Sequence, residues 1–194
     1  MKHRTILLFG APGSGKGTQG KILGTIPKFF HCACGEVFRS LHPDSPLGKT
    51  FIAYSSQGRL VPDAPTVKLW RQYIDASTKT GQFHPAEDTL VLDGIPRNVA
   101  QAEMLNDTLD VVAVFYLTCA NQKNLVTRLQ RRAIKENRLD DTKLDVIRNR
   151  LKTYERKTKP VLKFYGRNIV HRINADGTPA RVFLDILQHV VKLR

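Results

Sequence analysis

The run Gly10-Ala11-Pro12-Gly13-Ser14-Gly15-Lys16-Gly17-Thr18 satisfies G-x-x-x-x-G-K, and it lies between an apolar stretch, Ile6 to Phe9, and a helical pattern. That spacing suits a phosphate. Glycines let the backbone curl so that successive N–H groups converge on phosphate oxygens, and the helix that follows adds its positive N-terminal end. Gly13, Ser14, Gly15, Gly17 and Thr18 form the cradle, and Lys16 supplies a mobile point charge for the terminal phosphates. Gly17 occupies the place where a Ser or Thr normally meets Mg2+, and the hydroxyl arrives one residue later, at Thr18.

A second group of residues suits a second phosphate. Leu92-Asp93-Gly94-Ile95-Pro96-Arg97 closes an apolar run, with Gln101 four residues beyond the arginine. A guanidinium can make two parallel bonds to phosphate, and a carboxamide both donates to and accepts from a base edge. A carboxylate such as Asp93, at the end of a strand beside a phosphate loop, is well placed to organise a metal ion. Arg128 and Arg132 stand at i, i+4, followed by Arg138 and Arg150. In isolation a charge run of this kind is usually a solvated surface.

The segment GAPGSGKGTQ, Gly10 to Gln19, resembles the phosphate loop of nucleoside monophosphate kinases, above all adenylate kinases. The remaining motifs follow in the order of that family. Leu92 to Arg97 is similar to its D-G-F-P-R signature, with Ile95 for the aromatic. Cys34-Gly35-Glu36-Val37-Phe38-Arg39 is similar to S-T-G-D-L-L-R, with Ala33 and Cys34 for Ser and Thr and Glu36 for Asp. Gly58-Arg59-Leu60-Val61-Pro62-Asp63 is similar to G-x-L-V-P-D. Arg128-Leu129 with Arg132, Arg138-Leu139-Asp140-Asp141, and Arg150-Leu151 with Tyr154 resemble the lid and the helix after it. Asn137 stands where the family has Gly, and one extra residue precedes Arg150, for which the Arg-Leu-x-x-Tyr match favours Arg150 over Arg148.

The resemblance implies roles for these positions. Lys16, Arg97, Arg132, Arg138 and Arg150 would be catalytic. The phosphate loop, Arg128, Arg132 and Gly177 would hold ATP. Cys34, Arg39, Arg59, Leu60, Val61, Gly94, Arg97, Gln101, Arg138 and Arg150 would hold the acceptor monophosphate. Asp93 would organise Mg2+ through water. The thiol of Cys34 is a weaker hydrogen-bond partner than the hydroxyl it replaces. The lid is too short for the zinc-binding version of some relatives and contains no cysteine, so no zinc is expected.

These residues need a scaffold. Apolar, β-rich runs at Thr5–Phe9, Lys28–His31, Thr89–Leu92, Val111–Leu117 and Ile169–Ile173 alternate with helical patterns, as in a parallel sheet wrapped by helices. With the resemblance, this predicts an α/β fold of the P-loop NTPase type with a five-stranded parallel sheet. One domain covers 1–194. Its core is 1–34, 81–132 and 143–194, with a monophosphate-binding insertion at about 35–80 and a short lid at about 133–142. The last helix reads Thr178 as N-cap, Pro179 at the first position, and Phe183, Ile186, Leu187, Val190 and Val191 on its buried face. Before it, Leu144, Ile147, Leu151, Tyr154, Val161, Leu162 and Tyr165 share a stripe that Pro160 interrupts.

Composition narrows the setting. At 194 residues, 41% hydrophobic and 25% charged, the chain can bury a full core. Lys plus Arg number 31 against 17 Asp plus Glu, a formal +14, which favours anionic partners. The three cysteines, Cys32, Cys34 and Cys119, make neither a disulfide framework nor a zinc pair. No apolar run reaches the roughly 20 residues of a membrane span, and a cytoplasmic protein is expected, an organellar matrix being the other setting. Together with the resemblance, which implies ATP and AMP as substrates, a monomer without membrane or nucleic-acid partners is expected. The histidines show no metal spacing, and His31 and His171 read as structural. Two alternatives stay open: a UMP/CMP kinase, suggested by Cys34 and Glu36 but opposed by Gln101, and a basic nucleotide- or RNA-associated protein of the same fold that has lost transfer.

Overall fold

The computed structural model describes residues 2–136, 138 and 141–193. Five parallel strands, β1 (His3–Gly10), β2 (Phe29–Ala33), β3 (Thr89–Asp93), β4 (Leu109–Thr118) and β5 (Val170–Asn174), form one sheet in the order β2-β3-β1-β4-β5. β1 lies at the centre and is buried on both faces: Leu7 and Phe9 enter one core, Ile6 and Leu8 the other. Two-sided burial explains why its sequence is a continuous apolar run rather than an alternation. The strand order reverses at β1, so the loops after β1 and β3 open into the crevice where such sheets bind ligands. Pairing of Leu8 with Asp93 brings those two loops side by side.

The β2 strand starts one residue later than its sequence suggests. Lys28 has φ 68, a left-handed turn outside the extended strand, although its carbonyl still accepts from the Thr89 N–H of β3 at 2.8 Å. β1, β3 and β4 extend one or two residues beyond their apolar runs, because ladder bonds do not require an apolar side chain, and β5 is shifted one residue along, to Val170–Asn174.

Helix α1 (Lys16–Leu23) follows the phosphate loop. Between β2 and β3 come α2 (Cys34–Arg39), α3 (Pro46–Ser55) and α4 (Asp63–Lys79), where Trp70, Val67 and Ile74 of α4 join the core that holds Phe38 and Phe83. α5 (Val99–Leu105) starts at Asn98, whose side chain accepts from the Gln101 N–H at 2.8 Å. α6 (Gln122–Lys135) leads towards the lid segment; Asn137, Leu139 and Asp140, part of the lid motif read from the sequence, lie outside the described residues.

The long amphipathic stripe is broken earlier than Pro160 implies. α7 (Leu144–Thr153) passes into a π-helical stretch, Tyr154–Thr158, before α8 (Val161–Phe164) begins behind Pro160. Within it Leu144 is exposed, and Val146 is buried along with Ile147 instead. α9 (Pro179–Val190) has the cap read from the sequence, the Thr178 hydroxyl accepting from the Arg181 N–H at 3.3 Å. Its buried stripe is Val182, Ile186 and Val190, flanked by Phe183 and Leu187, whereas Val191 is 72% exposed. The face is rotated towards Val182, and Val191, the C-cap, keeps its N–H on the Leu187 carbonyl at 3.0 Å while its side chain lies outside the buried stripe. Among the described residues, no helix is long and apolar enough to cross a membrane.

Candidate functional site

A cleft of about 560 Å3 opens over the carboxyl ends of β1 and β3, and each site residue named from the sequence lines it, from Gly13 in the phosphate loop to Gly177 ahead of α9. Residues spread over more than 160 positions converge because the parallel topology puts all strand-to-helix loops on one edge.

The cradle forms as its glycines dictate. Gly13 and Gly15 have φ 84 and 97, in the left-handed region where a side chain strains the backbone. A Cβ on Gly10 would sit 2.5 Å from both the Leu117 carbonyl and the Ser14 hydroxyl. Gly15 caps α1 without any side-chain bond, so the first-turn N–H groups of that helix face the cleft. Ser14 Oγ is buried with no hydrogen-bond partner among the described residues. A buried unpaired hydroxyl inside a ring of amides suits an anion bound there. Lys16 folds back across the loop, its Nζ donating to the carbonyls of Gly10 at 2.7 Å and Ala11 at 3.1 Å. Burial, only partly opposed by Asp93 and reinforced by Arg132, Arg97 and Arg150, pushes its pKa down to about 8.

At the end of β3, Asp93 faces the start of α1. A Cβ on Gly17 would lie 3.5 Å from Asp93 Oδ2, so the missing side chain leaves the carboxylate clear access to the cradle. No cluster of three or more His, Cys, Asp or Glu exists among the described residues. One carboxylate beside a phosphate site fits Mg2+, which takes one or two protein carboxylates and completes its shell with phosphate oxygens and waters.

The acceptor side is built from α2, the turn before α4, and the loop after β3. Gly94, φ 85, turns the chain so that Arg97 Nε donates to the Gly94 carbonyl at 2.7 Å. Arg39 Nη1 donates to the Gly35 carbonyl at 2.8 Å, and its guanidinium lies 5.9 Å from the Phe51 ring centroid. Arg59 stacks on Tyr54 at 4.7 Å. Cys34 is buried, and burial raises its thiol pKa to about 11, so it meets the pocket as a neutral thiol.

Gln101 is 1% exposed, and its carboxamide is already engaged. Its Oε1 accepts from the Arg97 N–H at 2.7 Å, and its Nε2 donates to Asp63 Oδ1 at 2.7 Å, the carboxylate oxygen that Asn98 Nδ2 also reaches at 2.8 Å. One N–H and one lone pair of the amide remain for a base edge.

The lid side carries the arginines. Arg128 Nη1 donates to the Ala175 carbonyl at 2.9 Å. Arg132 bonds Asp141 Oδ2 through Nε at 2.8 Å and Nη2 at 2.5 Å, and Arg150 bonds the other oxygen, Oδ1. Arg148 points away from the cleft and lines a different groove, so Arg150 is the inward arginine. Arg138 pairs with Glu136 at 2.6 Å and approaches Glu36 of α2 at 3.8 Å. Burial opposes ionisation of Glu36, but Lys21 at 3.0 Å and Arg138 outweigh it and hold its pKa below the ordinary value.

Sequence reasoning missed several of these groups. Asp141 was noted only as part of a lid motif, although it stands nine residues from both Arg132 and Arg150. Asp63 stands in the sequence only as the last residue of the Gly58–Asp63 match, with no role of its own. Arg131 and Lys135 also line the cleft, at i, i+4 on α6; their spacing was visible, but not which face of the helix turns inward.

A parallel five-stranded sheet, a phosphate loop closing its central strand and an arginine-lined cleft over a second phosphate motif define a nucleoside monophosphate kinase of the P-loop class. The chain belongs to the adenylate kinase family: the model of the adenylate kinase family matches residues 8–170. It is 38% identical to an adenylate kinase of Cyanothece sp. over 96% of this chain and 94% of the relative. It is 36% identical to one of Flavobacterium psychrophilum over 89% and 90%. Adenylate kinase isoenzyme 1 of Gallus gallus is 32% identical over 98% and 96%. Membership makes the chain a phosphotransferase that binds nucleotides.

Proposed function

We propose that this chain transfers the terminal phosphoryl group of MgATP to AMP, reversibly, giving two ADP. The observation that carries the reading is the single cleft in which the amide cradle and Lys16 at one end face Arg97, Arg39 and Gln101 at the other. ATP lies on the Gly13–Thr18 cradle, with Arg128 and Gly177 towards its nucleoside and Arg132 near its phosphates. The monophosphate lies against Arg39 and Arg97, with Cys34, Arg59, Leu60, Val61, Gly94 and Gln101 around it. Arg138 and Arg150 reach the junction from the lid side.

Phosphoryl transfer leaves the protein little covalent work. The transition state is spread negative charge, so catalysis is alignment and cationic stabilisation without a general base. Lys16, Arg97, Arg132, Arg138 and Arg150 supply that stabilisation. Mg2+, organised by Asp93 through water, neutralises phosphate charge when bound. The segments at about 35–80 and 133–142 act as insertions that close over the bound pair and keep water from the phosphoryl group. Closing lids of adenylate kinases are a well-known case of such gating. A monomer working in the cytoplasm fits this chemistry.

A coupled ADP-formation assay with AMP, UMP, CMP and GMP as acceptors tests the reading. Highest kcat/KM with AMP is expected. Faster turnover of a pyrimidine monophosphate would replace AMP as acceptor, and no transfer to any of the four, with nucleotides bound, would overturn the reading.

A further inference from the structure

Outside the cleft, a groove of about 790 Å3 runs between two walls. One is Tyr54 of α3 and the turn from Arg59 to Asp63; the other is α7 and the π-helical stretch after it. Asn149 Nδ2 bonds the Gln57 carbonyl and the Thr153 hydroxyl bonds the Gly58 carbonyl, at 3.2 Å in the second case, so the walls are fastened together.

Its lining is strongly cationic. Arg148, Lys152 and Arg156 recur every four residues along one wall, Lys157 adjoins them, and Arg59 stands opposite. The acidic groups facing this surface are Asp63 and Glu155. Asp63 accepts from Asn98 and Gln101, and Glu155 pairs with Lys159 at 2.7 Å. Among the described residues, none of the five cations forms an ion pair. Like charges at i, i+4 repel, destabilising a helix by a few tenths of a kcal/mol per pair, so the stripe opposes folding unless an anion answers it.

We propose that this groove is a second anion site, which takes a chain of at least three linked phosphates. Eight residues of helical rise separate Arg148 from Arg156 by about 12 Å, which matches a linear polyanion and exceeds a single phosphate. The one aromatic face, Tyr54, is already covered by Arg59 at 4.7 Å. A nucleic acid therefore finds no stacking platform here. The source is either free inorganic polyphosphate or the triphosphate tail of a nucleotide, and both present the same chemistry. The inference does not depend on which acceptor the cleft prefers.

The test titrates the full chain, its cleft filled by two adenosines joined through five phosphates, with tripolyphosphate in a calorimeter. One further site per chain is expected. Arg148→Glu combined with Arg156→Glu should weaken it at least tenfold with phosphotransfer unchanged. Lys79→Glu combined with Lys192→Glu alters net charge equally at distant exposed positions and should change affinity less than twofold. ATP binding the filled protein as tightly as tripolyphosphate supports a nucleotide tail as the source; weaker ATP binding supports free polyphosphate. The proposal is overturned by no heat of binding, by equal weakening in both double variants, by orthophosphate matching tripolyphosphate, or by an RNA oligonucleotide of equal charge binding more tightly.

Discussion

The buried carboxylate of Asp141 holds Arg132 through two hydrogen bonds, 2.8 and 2.5 Å long, and engages Arg150 with its other oxygen. Two long, flexible cations are thereby fixed relative to each other before any nucleotide arrives, which lowers the entropy of organising them at the phosphoryl group. Asp141→Asn keeps the shape but removes the charge that both guanidiniums share. Breaking a buried pair costs roughly 3–5 kcal/mol, less here because both arginines are partly solvated. The expected outcome is a fall in kcat of roughly ten- to a hundredfold, about 1.4–2.7 kcal/mol of transition-state stabilisation, with a lowered urea midpoint. Single-turnover kinetics and urea unfolding check both parts. An unchanged kcat would show that Asp141 matters for folding alone.

Asp141 also marks the limit of what the sequence reveals. The phosphate loop and the run from Asp93 to Arg97 were legible because their chemistry is local: contiguous residues shape one loop, and strand and helix signals flank it. The five strands were legible as apolar runs. Partnerships such as Asp141 with Arg132, or Asp63 with Gln101, arise when separate elements pack, and nothing in residue type says which carboxylate will be buried. The π-helical turn at Tyr154 was hidden because an apolar stripe is read at a 3.6-residue period, whereas the extra residue of a π turn shifts that phase. On α9 the omission of Val182 rotated the predicted face by one residue.

Asp63 fixes the Gln101 amide. Arg97 N–H demands an oxygen on one side and the Asp63 carboxylate demands an NH2 on the other, so the amide has one orientation and offers a fixed donor and acceptor to a base. Asp63→Leu leaves a buried N–H unpaired, a loss of about 1–3 kcal/mol, and lets the amide turn. The KM for AMP should rise about tenfold with kcat and the KM for ATP little changed, and preference for AMP over UMP should narrow. Asp63→Asn retains an accepting oxygen and should recover most of the loss. Steady-state kinetics on both acceptors measure this; equal defects in the Leu and Asn variants would contradict it.

Stability should fall below pH 6.5. His31 lies against Gly20 and Gly24 of the α1 region with its Nε2 buried and unpartnered, and burial lowers its pKa despite Asp93 and Glu36 nearby. His171, whose ring is tilted against that of His189 with centroids 4.3 Å apart, is lowered by burial and by that neighbour. A folded-state pKa below the unfolded value means that the unfolded chain binds more protons as pH drops through about 6.5. The stability that these two histidines contribute is therefore full above that pH and is lost beneath it. Urea midpoints should fall steadily from pH 6.5 to 5, and above pH 7 only the shallow rise that the lowered Lys16 pKa brings remains. His31→Gln should flatten that slope, and an unaltered slope would remove His31 as a cause.

Lys16 gives the opposite limb of the pH profile. Its ammonium is desolvated and flanked by Arg132, Arg97 and Arg150, which together bring its pKa down to about 8 in the free protein. Only the charged form attracts phosphate, so kcat/KM for ATP should decline above about pH 8, the free-enzyme limb of such a profile. Bound phosphates favour the proton and move the transition upwards, so the decline in kcat should lie at higher pH than that in kcat/KM. Lys16→Arg keeps its charge throughout this range. Whatever activity it retains should lack the alkaline limb of kcat/KM. The same limb persisting in Lys16→Arg would assign the titration to another group or to the nucleotide.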